Sequence, residues 1–355
     1  MRLPLSILDL VPIARGQTVT DAFAASVAVA RRAEELGYTR VWYAEHHNMP
    51  TIASAATSVV IAHVGAHTST IRLGAGGVML PNHSPLTIAE QFGALDAMYP
   101  HRIDLGLGRA PGSDQATFRA MRRDPRSSDA FPQDVRELQA YLAGESRVPG
   151  VDAIPGKGSR VPLYLLGSSL FGAQLAAALG LPYAFASHFA PDALFAALAA
   201  YRSEFKPSAQ LDRPYAIVGV NVTAADTAED ARSQFQRVRR ARAASLFARR
   251  AGLDASEITD EQADELLAAG GAAHVDHMLT YSAVGTPREV SDYLDGFLAK
   301  TGADELIVVH QASGIENRLR SVTLLAEAME GPAGNGEVPP GVIAPPAALE
   351  ARRPG

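Results

Sequence analysis

The side chains able to do chemistry sit in four short stretches. Glu45, His46 and His47 close an apolar run, YTRVWYAEHH. Imidazole titrates near neutral pH, so a histidine there can take a proton from a substrate or hydrogen-bond an intermediate. A histidine merely packed and hydrogen-bonded at a strand end is the plainer alternative. Neighbouring side chains on a strand point to opposite faces, so at most one of the two histidines can face a given side squarely. Gly74, Gly76 and Gly77 end a second apolar run, IRLGAGG. They either form a tight bend or clear enough side chain to rest an aromatic ring on backbone. Arg109 follows a third run, RIDLGLG, and its planar fork of donors suits phosphate or carboxylate, including a surface carboxylate of the chain itself. Ser168 and Ser169 follow PLYLLG and open SSLFGAQLAAALG, a helix whose first amides and hydroxyls can hold an anion. Together Arg109 and this helix start describe a site for a phosphate-tethered planar ligand.

Two rival chemistries are weaker on the same residues. GLGRAPG has the glycines of a dinucleotide fingerprint, but Pro111 and Gly112 deny it the helix that should begin there. A metallohydrolase barrel needs further inward ligands from several strands. The other strand-end histidines, His188 and His310, have no carboxylate at matching spacing, so no metal is expected.

Positioning these residues takes a repeating β/α rhythm. Strands are expected at 3–10, in YTRVWYAEHH, and at 71–77, 102–108 and 162–166, then in YAFASHF, YAIVGVNVTA and ELIVVH. Helices are expected at 20–37, at 54–67 with Ser54 as N-cap, and at 87–98, 132–143, 192–205 and 228–251. Thr286 caps the next helix with Pro287 in its first turn. The arginines of 228–251 (Arg232, Arg237, Arg239, Arg240, Arg242) read as a solvated face. Continuous apolar strands alternating with helices call for a parallel sheet covered on its outside. Eight of them make an eight-stranded parallel β/α barrel, with ligands expected at the strand C-termini. Residues 1–330 read as one α/β domain with active-face insertions at about 110–130 and 253–283, the latter irregular. Residues 331–355 hold 11 Pro or Gly in 25 positions, as in a disordered or surface-draped extension.

Composition bounds the partners. The net charge of −6 argues against nucleic acid, whose ligands are usually basic. The absence of cysteine rules out disulfides and thiolate metal sites. Pro4, Asp9 and Pro12 break the apolar N-terminus before it can span a membrane, so a cytoplasmic protein is expected. A helix at 54–67 that is apolar nearly all round needs cover, which another copy of the chain can supply.

WYAEHH, LGAGGVMLPNHSPLTIAEQFGALDAMYPHRIDLGLGRAPGSD, LYLLGSS and AVGTPREV, in this order, resemble the bacterial luciferase-like flavin oxidoreductases. The resemblance spans most of 1–330. It implies a barrel that binds FMN at its strand C-termini, usually as a homodimer. By that resemblance His46 is the active-site histidine. Gly76 and Gly77 are the pair joined by a non-prolyl cis peptide against the flavin ring. Arg109 contacts the FMN phosphate, as does the turn holding Ser168, Ser169 and Gly172, and 253–283 falls where relatives carry a mobile lid. The chain departs from the luciferases themselves at Gly108, where a reactive cysteine stands in the light-emitting subunit, and at Ser168, where a glutamate stands. Light emission and long-chain aldehydes are therefore not expected. The implied reaction is oxygenation of a small organic substrate by dioxygen and reduced FMN from a separate flavin reductase. The alternatives are hydride transfer with a deazaflavin on the same barrel, and a flavin-binding protein without turnover.

Overall fold

Each apolar run forms a buried parallel strand, because both faces of the sheet are covered. The computed structural model describes residues 3–110 and 115–329. It has nine strands: β1 (Leu5–Asp9), β2 (Arg40–Tyr43), β3 (Arg72–Met79), β4 (Ile103–Gly108), β5 (Leu163–Gly167), β6 (Tyr183–Phe185), β7 (Ala216–Ala224), β8 (Ser282–Gly285) and β9 (Glu305–His310). β1 to β7 pair in sequence order, β7 pairs with β9, and β9 returns to β1, so eight strands close a parallel barrel. The expected eight-stranded β/α barrel is therefore the fold. β8 is an addition: it pairs with Asn221–Ala224 of β7, on the edge that β6 borders lower down.

Twelve helices surround it among the described residues: α1 (Val19–Glu35), α2 (Thr57–Gly65), α3 (Pro85–Met98), α4 (Gln115–Ala120), α5 (Phe131–Ala143), α6 (Leu170–Leu179), α7 (Leu194–Glu204), α8 (Ala228–Ala251), α9 (Asp260–Leu266), α10 (Ala272–Met278), α11 (Pro287–Thr301) and α12 (Gly314–Ala328). Thr286 caps α11 in a reciprocal box with Glu289, as its sequence predicts. Ser54 does not cap α2. Its hydroxyl donates to the Ala44 carbonyl, and α2 begins three residues later without a side-chain cap. None of these helices is long and apolar enough to cross a membrane. The 331–355 tail lies outside the described residues.

The stretch 253–283 is not irregular. α9 and α10 pack on α8, where Ala243, Leu267, Val275 and Leu279 form a small core of their own. Arg240 pairs with Asp264 at 2.6 Å and Arg239 with Asp276 at 2.7 Å, so these two arginines fix the insertion to α8 instead of facing solvent. Arg15, in the loop after β1, donates to the Ile258 carbonyl at 2.6 Å and ties the insertion across the strand C-termini.

The N-terminal end of the barrel is filled by a buried polar network. Arg40, at the start of β2, pairs with Asp104 at 2.7 Å and with Glu305 at 2.9 Å. Arg72 also pairs with Asp104. Tyr164, Tyr215, Trp42 and Ser6 complete the hydrogen bonding around the two carboxylates and Arg40. Two guanidiniums and two carboxylates balance in charge, which is what makes so much buried charge tolerable. Burial works against the Asp104 carboxylate, yet the charges of Arg72 and Arg40 hold it below its ordinary range.

Candidate active site

The C-terminal end is built differently. On β3 and β4 the residues facing the next layer of the barrel are glycines. A Cβ on Gly74 would lie 2.6 Å from the Asp104 carbonyl oxygen and 2.8 Å from the Trp42 indole nitrogen, and one on Gly106 2.3 Å from the Ala75 carbonyl. These two glycines let Trp42 and the neighbouring strand close over the plug. Higher up, a Cβ on Gly76 would meet Trp42 and Leu8 at 2.9 and 3.0 Å, and one on Gly77 the Gly106 carbonyl at 2.8 Å. At Gly108 only the end of the Met79 side chain, at 2.8 Å, is in the way. The Gly76–Gly77 peptide is cis, and the register between β3 and β4 shifts there, three residues of β3 spanning two of β4.

Glu45 joins this bare stretch to the end of β2. Its amide donates to the Gly77 carbonyl at 3.2 Å. Its buried carboxylate accepts from His47 Nε2 (2.8 Å), Asn82 Nδ2 (2.9 Å), the Met79 amide (3.0 Å) and His83 Nε2 (3.0 Å). Burial alone would raise its pKa. Hydrogen bonds from His47 and His83 outweigh that and bring it down to about 2, so Glu45 is ionised. The hydrogen bond to Glu45 in turn raises the pKa of His47. His47 is thereby committed to Glu45. His46, beside it, lines an open cleft of about 300 Å³ with Asn48, Met49, Pro50, Ile52 and Ala55.

Arg109 leaves the end of β4 and lays its guanidinium over the Phe171 ring, 4.0 Å from the centroid. Phe171 is the second residue of α6, whose start at Leu170 follows Ser168 and Ser169. The side chain of Ser169, the N-cap of α6, makes no capping hydrogen bond, and its carbonyl accepts from the Tyr183 hydroxyl at 3.1 Å. The first amides of a ten-residue helix therefore lie beside a guanidinium, a geometry that suits an anion. Gly172 is buried beneath them, where a Cβ would lie 3.4 Å from the Tyr183 ring and 3.7 Å from the Gly167 Cα. The structure thus brings His46, Gly76, Gly77, Arg109, Ser168, Ser169 and Gly172 onto the C-terminal ends of four consecutive strands, β2 to β5.

Opposite them, after β6, stands His188. It is buried, and its Nδ1 has no hydrogen-bond partner among the described residues. A Cβ on Gly219 would lie 2.5 Å from that nitrogen, so the ring occupies the space Gly219 leaves. Asn221 donates to the His188 carbonyl at 2.7 Å, and Gln311 to Asn221 at 3.0 Å. Burial, then the charges of Arg242 and His46, lower the His188 pKa to about 3, so the imidazole is neutral. Among the described residues no group of three or more His, Asp or Glu is arranged to hold a metal ion.

The model of the family described as luciferase-like monooxygenase matches residues 3–305. The chain belongs to this family. A luciferase-like monooxygenase of Escherichia coli strain K12 is 49% identical over 326 residues, 92% of this chain and 96% of that one. Among solved structures, apo-MsnO8 is similar at 36% identity with a TM-score of 0.79, over 92% of this chain and 98% of that one. The oxygenating constituent of 3,6-diketocamphane monooxygenase from Pseudomonas putida, in complex with FMN, is similar at 17% identity and a TM-score of 0.66, over 92% and 97%. That last likeness is one of fold.

Within this luciferase-like barrel, sequence reading missed the partners of Glu45. Asn82 and His83 follow β3 in LPNHS, and a carboxylate next to two histidines was the one signal that it needed donors from elsewhere. His188 was noted only as a metal ligand to be dismissed. Arg242, read as solvated with the other arginines of α8, is partly buried and within electrostatic range of His188.

Proposed function

We propose that the chain is an FMN-dependent monooxygenase. In this reading it takes reduced FMN from a separate flavin reductase, uses dioxygen to oxygenate a small organic substrate, and works as a cytoplasmic homodimer. The observation that carries the reading is the Arg109 guanidinium over Phe171 beside the uncapped start of α6, one strand away from bare glycine backbone. That combination fits a ligand with a flat apolar part and a phosphate tail. Gly76 and Gly77 would face the ring, and Arg109 and the Ser168–Ser169 turn would hold the phosphate, with Gly172 letting α6 sit close to β5 and β6.

When bound and reduced, the flavin supplies the electrons that activate dioxygen. The protein's own part is to bind, orient and exclude water. His46, at the cleft, acts as base or hydrogen-bond partner to the substrate. Ionised Glu45 fixes the backbone on both sides of it by binding the β2 end to the loop after β3. The insertion, tied down through Arg15, covers the strand ends and keeps bulk water from the reaction. Homodimerisation is supported by α2, whose outer side presents Val59, 67% exposed, from a helix with few polar residues.

Equilibrium titration with FMN and, side by side, with a deazaflavin tests the reading. Wild type should bind FMN at least about tenfold more tightly than the deazaflavin, and Arg109→Ala should weaken FMN by about tenfold or more, the scale of a lost charge-assisted hydrogen bond. Preference for the deazaflavin would move the chain to hydride transfer. FMN binding indifferent to Arg109→Ala would remove the phosphate site from the proposal.

A further inference from the structure

Val11, two residues after β1 and buried, has a φ of 49°, in the left-handed region that a β-branched residue rarely adopts. Such a conformation persists only where the surroundings impose it. Here Asp9, the last residue of β1, imposes it, because its Oδ1 accepts from the Val11 amide at 2.7 Å. Leu8 faces the barrel interior, so Asp9 faces outward, under α1 and α12. There Arg318 of α12 donates to Oδ1 at 2.7 Å and Ser26 of α1 to Oδ2 at 2.8 Å, and all three side chains are buried. With its amide committed to Asp9, Val11 turns its carbonyl to the loop after β2, where it accepts from the Ala53 amide at 3.0 Å. The Ile13 amide donates to the Thr51 carbonyl at 2.9 Å, and Pro12 bridges to Ile52 between these two bonds. Ile52 lines the cleft with His46, as do Met49 and Pro50 of the same loop. An ion pair between a strand and a helix would by itself only staple the helix to the sheet. The further bond to the Val11 amide carries its influence over the rim to the wall of the cleft.

We propose that Asp9, backed by Arg318 and Ser26, is a positioning residue that sets the wall of the His46 cleft. Asp9 does not line the cleft. Its effect passes through Val11 and the hydrogen bonds that dock residues 11–13 on residues 51–53. The loop after β2 has a second anchor at Ser54, whose hydroxyl donates to the Ala44 carbonyl. Losing the Val11 side therefore frees Met49, Pro50 and Ile52 and leaves the start of α2 in place. Which molecules fit beside His46 then depends on a buried ion pair behind the sheet. The inference rests on the monooxygenase reading only in taking this cleft as the place of the substrate.

Amide hydrogen exchange of the full-length protein tests this without turnover, at times of seconds to minutes when only local openings contribute. In Asp9→Ala the amides of 11–13 and 46–53 should exchange about fivefold or more faster than in wild type, the scale of one lost hydrogen bond. Asp9→Asn keeps an oxygen for the Val11 amide but loses the charge that faces Arg318, so there the same amides should exchange as in wild type. Carbethoxylation of His46 by diethylpyrocarbonate should rise about twofold or more in Asp9→Ala, while His101, at the opposite end of the barrel, keeps its rate. If Asp9→Ala does not fold, Asp9→Leu combined with Arg318→Met replaces the buried pair by apolar side chains and should show the same loosening. FMN affinity should be unchanged in every variant. Unchanged exchange at 46–53 without the carboxylate would reduce Asp9 to a staple and overturn the proposal. So would equal loosening in Asp9→Asn, or weaker FMN binding in Asp9→Ala. Exchange and carbethoxylation need no FMN, so failure of wild type to bind it would strike the cofactor reading and not this one.

Discussion

The two ends of the barrel each hold an arginine, one fully buried and one partly exposed, and they treat it in opposite ways. Arg40 at the N-terminal end is surrounded by two carboxylates and a tyrosine hydroxyl. Arg242 near the C-terminal end has a neutral histidine for company and no counter-ion among the described residues. The difference extends to the lining. The lower layer is closed by Trp42, Tyr164 and Tyr215, while the upper one is lined by Gly76 and Gly77, packed close against Trp42 and the Gly106 carbonyl, and by Gly108. A barrel needs one end packed to be stable and the other incomplete to bind.

The largest effect should come from breaking the packed end. Arg40→Leu leaves Glu305 buried without its cation and Asp104 with only Arg72. Stranding a buried charge costs about 3–5 kcal/mol, so urea unfolding should show a loss of that order, while Arg242→Met should show none. Equal losses at the two positions would erase the distinction between the ends.

Glu45 comes next, because it is a fully satisfied charge within the open end. Its pKa of about 2 against an ordinary 4.5 corresponds to about 3 kcal/mol at about 1.4 kcal/mol per unit. A carboxylate whose folded pKa is depressed contributes fully above its unfolded value and loses that contribution as pH falls through the folded one. Glu45→Gln should therefore cost about 2–3 kcal/mol at pH 7, and the gap from wild type should shrink by more than about half at pH 3. His188 works with the same sign in a higher window. Its pKa is also depressed, to about 3, so wild type should lose stability as pH falls below its unfolded value of about 6.5, and His188→Gln should flatten that limb of the curve. A gap between wild type and Glu45→Gln that stays constant from pH 7 to pH 3 would show that the carboxylate is not ionised by its hydrogen bonds.

A smaller effect should locate the boundary between the two layers. In Gly106→Ala the new methyl meets the Ala75 carbonyl, 2.3 Å away on the next strand, and backbone cannot yield cheaply. Overpacking of this kind costs about 1–3 kcal/mol. In Gly108→Ala the obstacle is the Met79 thioether, a flexible end that can turn aside, so the fold should lose less than about 1 kcal/mol. If Gly108 belongs to the binding layer, its variant should instead weaken FMN. Comparing urea midpoints with FMN titrations for the two variants separates packing from binding one layer apart.

How much of this could be read in the sequence depends on how local each cause is. The barrel follows from apolar runs such as AIVGVNVTA alternating with helical spacing, and the glycine-ended strands were visible because glycine at a strand end is itself the signal. The plug was not visible. Arg40, Asp104 and Glu305 each look like a solvated strand start, and only closure of the barrel brings them together across 64 and 265 residues. β8 was missed because SAVG is four residues long and runs straight into the cap of α11. Ser54 was misplaced because a serine before an apolar stretch usually caps a helix, whereas here a strand-end carbonyl competes for it. For α8 the composition was legible and the phase was not. Its arginines read alike until the insertion takes two of them, Arg239 and Arg240.

The smallest expected effect concerns Phe171, the side chain that links the two strands of the anion site. A guanidinium over an aromatic face at an exposed site is worth about 0.5–1 kcal/mol, and both partners here are exposed. Phe171→Leu keeps an apolar side chain at the start of α6 but gives Arg109 no face to lie on. Stability should stay within about 0.5 kcal/mol, and FMN should bind about two- to fivefold more weakly, well short of the change in Arg109→Ala. Combining the two substitutions decides how the ring acts. If Phe171 only holds the guanidinium in place, the double variant should bind FMN no worse than Arg109→Ala alone, because the ring then has nothing left to hold. Additive losses would mean instead that the ring touches the ligand itself, and the anion site would then extend from β4 onto the outer face of α6.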